Sequence, residues 1–188
     1  MSQQELLKKL LAMLNGHKCP YMLTGSIVSS ILGEPRLSHD IDIIIDADKK
    51  IEQLLLEQFD TENYYLDEYA IRDAIATQGM FNLIDINSGD KIDFWILTDS
   101  AFDASRFARR QSVKLFGEIA WISTPEDTML SKMLWAKKCG GSEKQLTDVR
   151  QVYQYNSASI DRDYMERWCI LLGIKHYWDE VRFNETEQ

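Results

Sequence analysis

The chain has 188 residues, 45% of them hydrophobic and 11% aromatic, enough to bury a substantial core in one large domain or two small ones. Its formal net charge of -9 argues against a nucleic-acid binder of broad footprint, because affinity for a phosphate backbone requires concentrated Lys and Arg. No run approaches the roughly 20 apolar residues that span a bilayer, the start Met1-Ser2-Gln3-Gln4-Glu5 lacks signal-peptide character, and the scattered Cys19, Cys139 and Cys169 suit a reducing compartment, so a cytoplasmic protein with no membrane partner, no disulfide framework and no zinc site is expected.

Leu6, Leu7, Leu10, Leu11 and Leu14 recur at helical spacing within residues 3 to 15 and Gly16 supplies a stop, which predicts an amphipathic lead helix. Tyr21 to Thr24 reads as a short apolar strand, Ser26 to Leu32 as a short helix, and Gly33-Glu34-Pro35 as a breaker before the strand Asp40 to Ile45. Lys49 to Phe59 and Glu68 to Thr77 read as helices, with Thr61 to Tyr65 as a loop between them. Met80 to Asn87 and Lys91 to Leu97 flank Ser88-Gly89-Asp90, which predicts an antiparallel hairpin. Phe102 to Arg110 reads as a helix, and Ser112 to Phe116 with Ile119 to Ile122 as a second hairpin around Gly117-Glu118.

Thr124 as a cap, Pro125 at the first helical position and Glu126 and Asp127 at the positive end of the dipole start another helix. Beyond it only helical stretches follow, near 125 to 138, 143 to 155, 162 to 172 and 176 to 183. The expected architecture is α/β (α+β): residues 1–124 form a small mixed sheet flanked by helices, and residues 125–188 form a helical part packed with it around one cleft. Residues 103 to 138 carry seven basic groups against four acids, which makes either a local anion site or a solvated helix face.

The chemistry concentrates in two places. A helix N-terminus led by Gly25-Ser26 can take phosphate. In the stretch Asp40-Ile41-Asp42-Ile43-Ile44-Ile45, strand alternation puts Asp40, Asp42 and Ile44 on one face and Ile41, Ile43 and Ile45 on the other, as core. Paired acids opening an apolar strand are costly to bury alone, which points to a cation, and magnesium prefers such hard oxygen ligands. Two-metal phosphoryl chemistry calls for a third carboxylate. Asp93, between Ile92 and Phe94, is the candidate, and Asp85 on the partner strand is its rival. Arg36 and His39 flank the acid pair; Arg36 reaches phosphate or pairs with nearby acids, and His39 contacts ligand or sits exposed at the strand edge. Trp95, Trp121, Trp135, Trp168 and Trp178 read as core residues, not as base-stacking platforms.

Strand, Gly25-Ser26, short helix, Asp40-x-Asp42 at a strand start, then Asp93 in a later strand: this order resembles the nucleotidyltransferase superfamily, whose best-known member is DNA polymerase beta. The resemblance is closer to a bacterial branch that includes the nucleotidyltransferases of abortive-infection toxin-antitoxin systems. It extends over most of the chain through Lys91-Ile92-Asp93, Pro125-Glu126-Asp127 with Lys132, and Asp148 within Leu146-Thr147-Asp148-Val149-Arg150.

The resemblance implies the nucleotidyltransferase fold and an enzyme that transfers a nucleoside monophosphate from a nucleoside triphosphate to an acceptor hydroxyl, releasing pyrophosphate. It implies Mg2+, or Mn2+ in its place, held by Asp40, Asp42 and Asp93, with Asp93 also reaching the acceptor hydroxyl. Ser26 would contact the β and γ phosphates and Lys132 the triphosphate, and Gly25 and Arg36, from the residue reading above, join them as nucleotide-binding candidates. Asp127 is explained better by helix capping and the dipole; Lys132 is read as closing the cleft, with a surface ion pair as the lesser alternative; Asp148 either orders Lys132 or the substrate or sits on a solvated helix face. The acceptor is left open among a small molecule, a tRNA end and a protein. A toxin-like enzyme held by an antitoxin-like protein partner and a triphosphate-binding module without turnover are the alternatives.

Overall fold

The structure, a computed structural model, describes residues 2–36 and 40–183; His39, named above beside the acid pair, lies outside the described residues. The elements run α1 (Gln3–Gly16), β1 (Tyr21–Thr24), α2 (Gly25–Leu32), β2 (Asp40–Ile45), α3 (Lys49–Gln58), β3 (Tyr64–Leu66), α4 (Glu68–Thr77), β4 (Met80–Asp85), β5 (Lys91–Ile96), α5 (Ala101–Ala108), β6 (Gln111–Leu115) and β7 (Glu118–Ile122). Helices α6 (Pro125–Lys138), α7 (Glu143–Asn156), α8 (Arg162–Leu172) and α9 (Lys175–Phe183) complete the chain. They form two compact units, Met1–Thr24 with Ser38–Ile122, and Gly25–Leu37 with Ser123–Gln188, so α2 belongs with the C-terminal helices.

The first unit holds one seven-stranded sheet in the order β3-β4-β5-β2-β1-β7-β6. It is mixed: β2 pairs with β5 and β1 with β7 in parallel, and the other neighbours are antiparallel. The lead helix forms because Ser2 and Glu5 close a reciprocal capping box at its start and its leucines share one face. Leu6, Leu7, Leu10, Leu11 and Leu14 are all buried.

Two local expectations change. The segment expected as a loop ends in a three-residue strand, β3, antiparallel to β4, with Tyr64 and Leu66 buried and Tyr65 out. Asp60 folds the preceding turn by accepting from the backbone N–H groups of Glu62 and Asn63, and three residues are too few for a period to show in the sequence. Ile44, on the same face as Asp40 and Asp42, is buried too, in a second small core with Met22 and Phe107 against which Trp95 and Leu97 pack. The sheet therefore carries apolar cover on both faces at the inner end of β2, and the acids occupy the outer end.

In the second unit α2 packs beside α6 and α7. Gly33 ends it where a Cβ would lie 3.0 Å from the Ser29 carbonyl oxygen and 3.2 Å from the backbone of Gln151 and Val152, so a larger residue would press on α7. Asn156 donates to the Leu32 carbonyl at 2.7 Å and satisfies the helix end.

Candidate functional site

Register assembles the first group of candidates. In the first unit Thr24 lies opposite Asp42, Asp42 opposite Asp93, and Asp93 opposite Asn82, so one row crosses four strands with a polar side chain at each. One step outward, Asp40 lies opposite Lys91. One step inward, the row Met22, Ile44, Trp95 and Met80 is largely apolar. Directly paired residues share a face and neighbouring strands lie about 4.8 Å apart, which puts the Asp42 and Asp93 carboxylates within reach of one ion.

Each acid has a protein donor. Trp95 Nε1 donates to Asp42 Oδ1 at 3.2 Å, Asn82 Nδ2 to Asp93 Oδ1 at 3.0 Å, and Lys91 Nζ lies 2.9 Å from Asp93 Oδ2 and 3.7 Å from Asp40 Oδ1. The hydrogen bond to Asp93 holds the Lys91 ammonium above its ordinary pKa, against a smaller opposing effect of burial. Asp93 is 8% exposed, and Lys91 supplies a neutralising charge. Among the described residues no three His, Cys, Asp or Glu side chains form a metal-holding cluster. The rival acid serves the backbone instead, since Asp85 Oδ1 accepts from the N–H groups of Asn87 and Ser88 and closes the hairpin turn. Burial would raise its pKa, but those backbone donors bring it below the ordinary carboxylate value.

The second unit gathers the remaining candidates except Gly25 around Asp148 or Thr124. Gly25 itself enters α2 at φ +67°, a left-handed conformation that favours glycine. Arg36 grips Asp148 with both prongs, Nε to Oδ1 at 2.9 Å and Nη2 to Oδ2 at 2.8 Å, and Nη2 also donates to Ser26 Oγ at 2.8 Å. Lys132 Nζ reaches Asp148 Oδ2 at 2.5 Å and Gln145 Oε1 at 3.1 Å. Ser29 Oγ donates to the same Asp148 oxygen at 3.4 Å. Asp148 and Lys132 are 3% and 5% exposed, which removes the alternatives of a solvated helix acid and a surface lysine. Burial pushes the Asp148 carboxyl up, but the Arg36 and Lys132 cations outweigh it and hold the carboxyl below its usual range. Arg36 in turn is raised by the Asp148 hydrogen bonds.

Asp127 is fully buried at the start of α6. It accepts from Thr124 Oγ1 at 2.9 Å and from Tyr164 OH at 2.6 Å, while its own N–H donates to Thr124 Oγ1. These contacts account for an acid here as a cap and core anchor. The basic segment is shared between the two units, and four of its seven charges have separate partners: Arg106 pairs with Asp103, Arg110 stacks on Phe107 and Trp121, Lys132 meets Asp148, and Lys137 donates to the Leu172 carbonyl.

Lys91, Trp95 and Asn82 touch the acids without having been singled out from the sequence as site residues. Residues 91, 93 and 95 alternate onto one face of β5, which is a legible signal; Asn82 needed the register between β4 and β5, which is not.

No protein-family model matches the sequence, and no curated protein matches it. Solved structures match in fold. The crystal structure of ANT(2'')-Ia in complex with adenylyl-2''-tobramycin is similar with a TM-score of 0.62 at 14% identity, over 94% of this chain and 99% of that chain. This is the nucleotidyltransferase fold. An antigenic nucleotidyltransferase-like protein from Paracoccidioides brasiliensis shares it at a TM-score of 0.56 and 17% identity, over 84% of this chain and 77% of that one. The lincomycin-bound lincosamide antibiotic adenylyltransferase LnuA shares it at a TM-score of 0.53 and 16% identity, over 79% and 95%. The mixed α/β architecture expected from the sequence is thus that of the nucleotidyltransferase fold.

Proposed function

We propose that this chain is a nucleotidyltransferase that moves a nucleoside monophosphate from a triphosphate to an acceptor hydroxyl and releases pyrophosphate. The observation that carries the reading is the polar row Thr24, Asp42, Asp93 and Asn82 with Asp40 one step outward, a set of hard oxygen donors across four interior strands of the sheet. The donor set fits magnesium, or manganese in its place, which when bound supplies charge neutralisation at the reacting phosphate and a more acidic acceptor hydroxyl.

The chain's own groups have distinct roles. Asp40, Asp42 and Asp93 would hold the ion. Trp95 fixes one Asp42 oxygen, and Asn82 and Lys91 engage the two Asp93 oxygens; once Lys91 has moved off, Asp93 would take the proton as the acceptor oxygen bonds to the α-phosphorus and the bond to the β-phosphate oxygen breaks. Gly25 and Ser26 contact the β and γ phosphates, and Arg36 and Lys132 bind the triphosphate charge, with Asp148 keeping both cations oriented. In this proposal residues 1–124 are the nucleotidyltransferase domain and residues 125–188 the helical domain.

Two structures of similar fold are described with small antibiotics, adenylyl-2''-tobramycin and lincomycin. These support a small-molecule hydroxyl as acceptor, and the net charge of -9 disfavours a tRNA end. The test is to offer each labelled triphosphate with magnesium to a panel of hydroxyl compounds, to tRNA and to cell extract, reading label transfer and pyrophosphate together. Label on a small molecule with matching pyrophosphate is the expected result. Calorimetric binding of triphosphate with no pyrophosphate under any condition makes the chain a binding module. Label on tRNA or protein, with growth arrest on expression relieved by a partner protein, makes it toxin-like.

A further inference from the structure

Lys91 is the cation that the carboxylate face already contains. It opens β5 directly opposite Asp40 on β2, and its side chain shares a face with Asp93 two residues on. One ammonium therefore touches acids on both strands, at 2.9 Å from Asp93 Oδ2 and 3.7 Å from Asp40 Oδ1. The other Asp93 oxygen is taken by Asn82 at 3.0 Å, so Lys91 engages the oxygen that a metal ion would need. Its side chain is one-third exposed and rides on a flexible four-carbon stem with a well-hydrated head, so it can leave without disturbing the sheet.

We infer that the Lys91 ammonium keeps the place of a divalent cation between Asp40 and Asp93, and that metal binds there by exchange with it. This rests on the metal-binding role proposed for Asp40, Asp42 and Asp93. The exchange keeps the acids neutralised before substrate arrives and weakens metal binding by the strength of the pair that must be broken. A partly exposed pair of this kind corresponds to a factor on the order of fivefold in affinity.

The test is a manganese titration of the nucleotide-free protein followed by electron paramagnetic resonance, comparing wild type with K91M, K91R and D42N, each checked for an unchanged circular dichroism spectrum. K91M should bind manganese about fivefold more tightly than wild type, and K91R, which keeps a cation, should show no such gain. D42N should bind much more weakly than any of these. Equal or weaker binding by K91M, with D42N still impaired, overturns the exchange and leaves the metal site standing. Equal binding by D42N and wild type overturns the metal site itself, and the exchange with it.

Discussion

Asp148 is a buried acid between two cations, and its removal leaves charges without their partner. Replacing it with asparagine keeps the shape while stranding Lys132, 5% exposed, and releasing Arg36 from its grip. Breaking such a pair costs about 3 kcal/mol, which a urea denaturation curve of Asp148→Asn should show as a lower midpoint. The carboxyl is held below its ordinary pKa in the folded chain, so its stabilising effect is complete above the unfolded value and disappears as pH falls through the folded one. Wild type should therefore lose its advantage over Asp148→Asn on acidification, and a difference between the two that persists unchanged down to about pH 2 would contradict this. The acids at 40, 42 and 93 were legible because alternation along a strand is visible in the sequence. The Arg36 to Asp148 pair was not, since it joins residues 112 positions apart through packing that no local pattern encodes.

At the scale of elements, legibility followed length and punctuation. The lead helix and the four C-terminal helices carry apolar periodicity and caps, Ser2, Thr124 and Asp161 among them, and they fall within a residue or so of their expected bounds. The three-residue β3 carries no period, and the burial of Ile44 depends on Phe107 arriving from α5. Gly33 was read only as a breaker, whereas its lack of a side chain sets the approach of α2 to α7. Gly33→Ala should overpack that contact and cost about 1 to 3 kcal/mol, measured as a fall in denaturation midpoint; a neutral result would show that the two helices yield. Leu10→Ala, at a fully buried position in α1, should cost about 2 to 5 kcal/mol in the same experiment.

For the whole molecule, composition and motif order pointed to the fold, while strand order did not follow from either. β2 sits between β1 and β5, and β1 between β2 and β7, so the middle of the sheet joins strands far apart in sequence. That non-local order is what brings Asp42 beside Asp93. If the chain binds a metal-triphosphate complex, a ligand at about one hundred times its dissociation constant stabilises the fold by about 2.7 kcal/mol, a rise of about 5 to 10 °C in melting temperature for a chain of this size. Scanning fluorimetry should show that rise only with metal and triphosphate together, and no rise in Asp42→Asn.

The most direct test of the account is transfer of label from an α-labelled triphosphate in wild type, Asp42→Asn and Asp93→Asn, with pyrophosphate measured in the same reactions and the fold monitored by circular dichroism. The account predicts magnesium-dependent transfer in wild type and a loss of about a thousandfold or more in each variant at unchanged fold. Transfer that survives in both variants would contradict the assignment of this carboxylate row as the reacting centre.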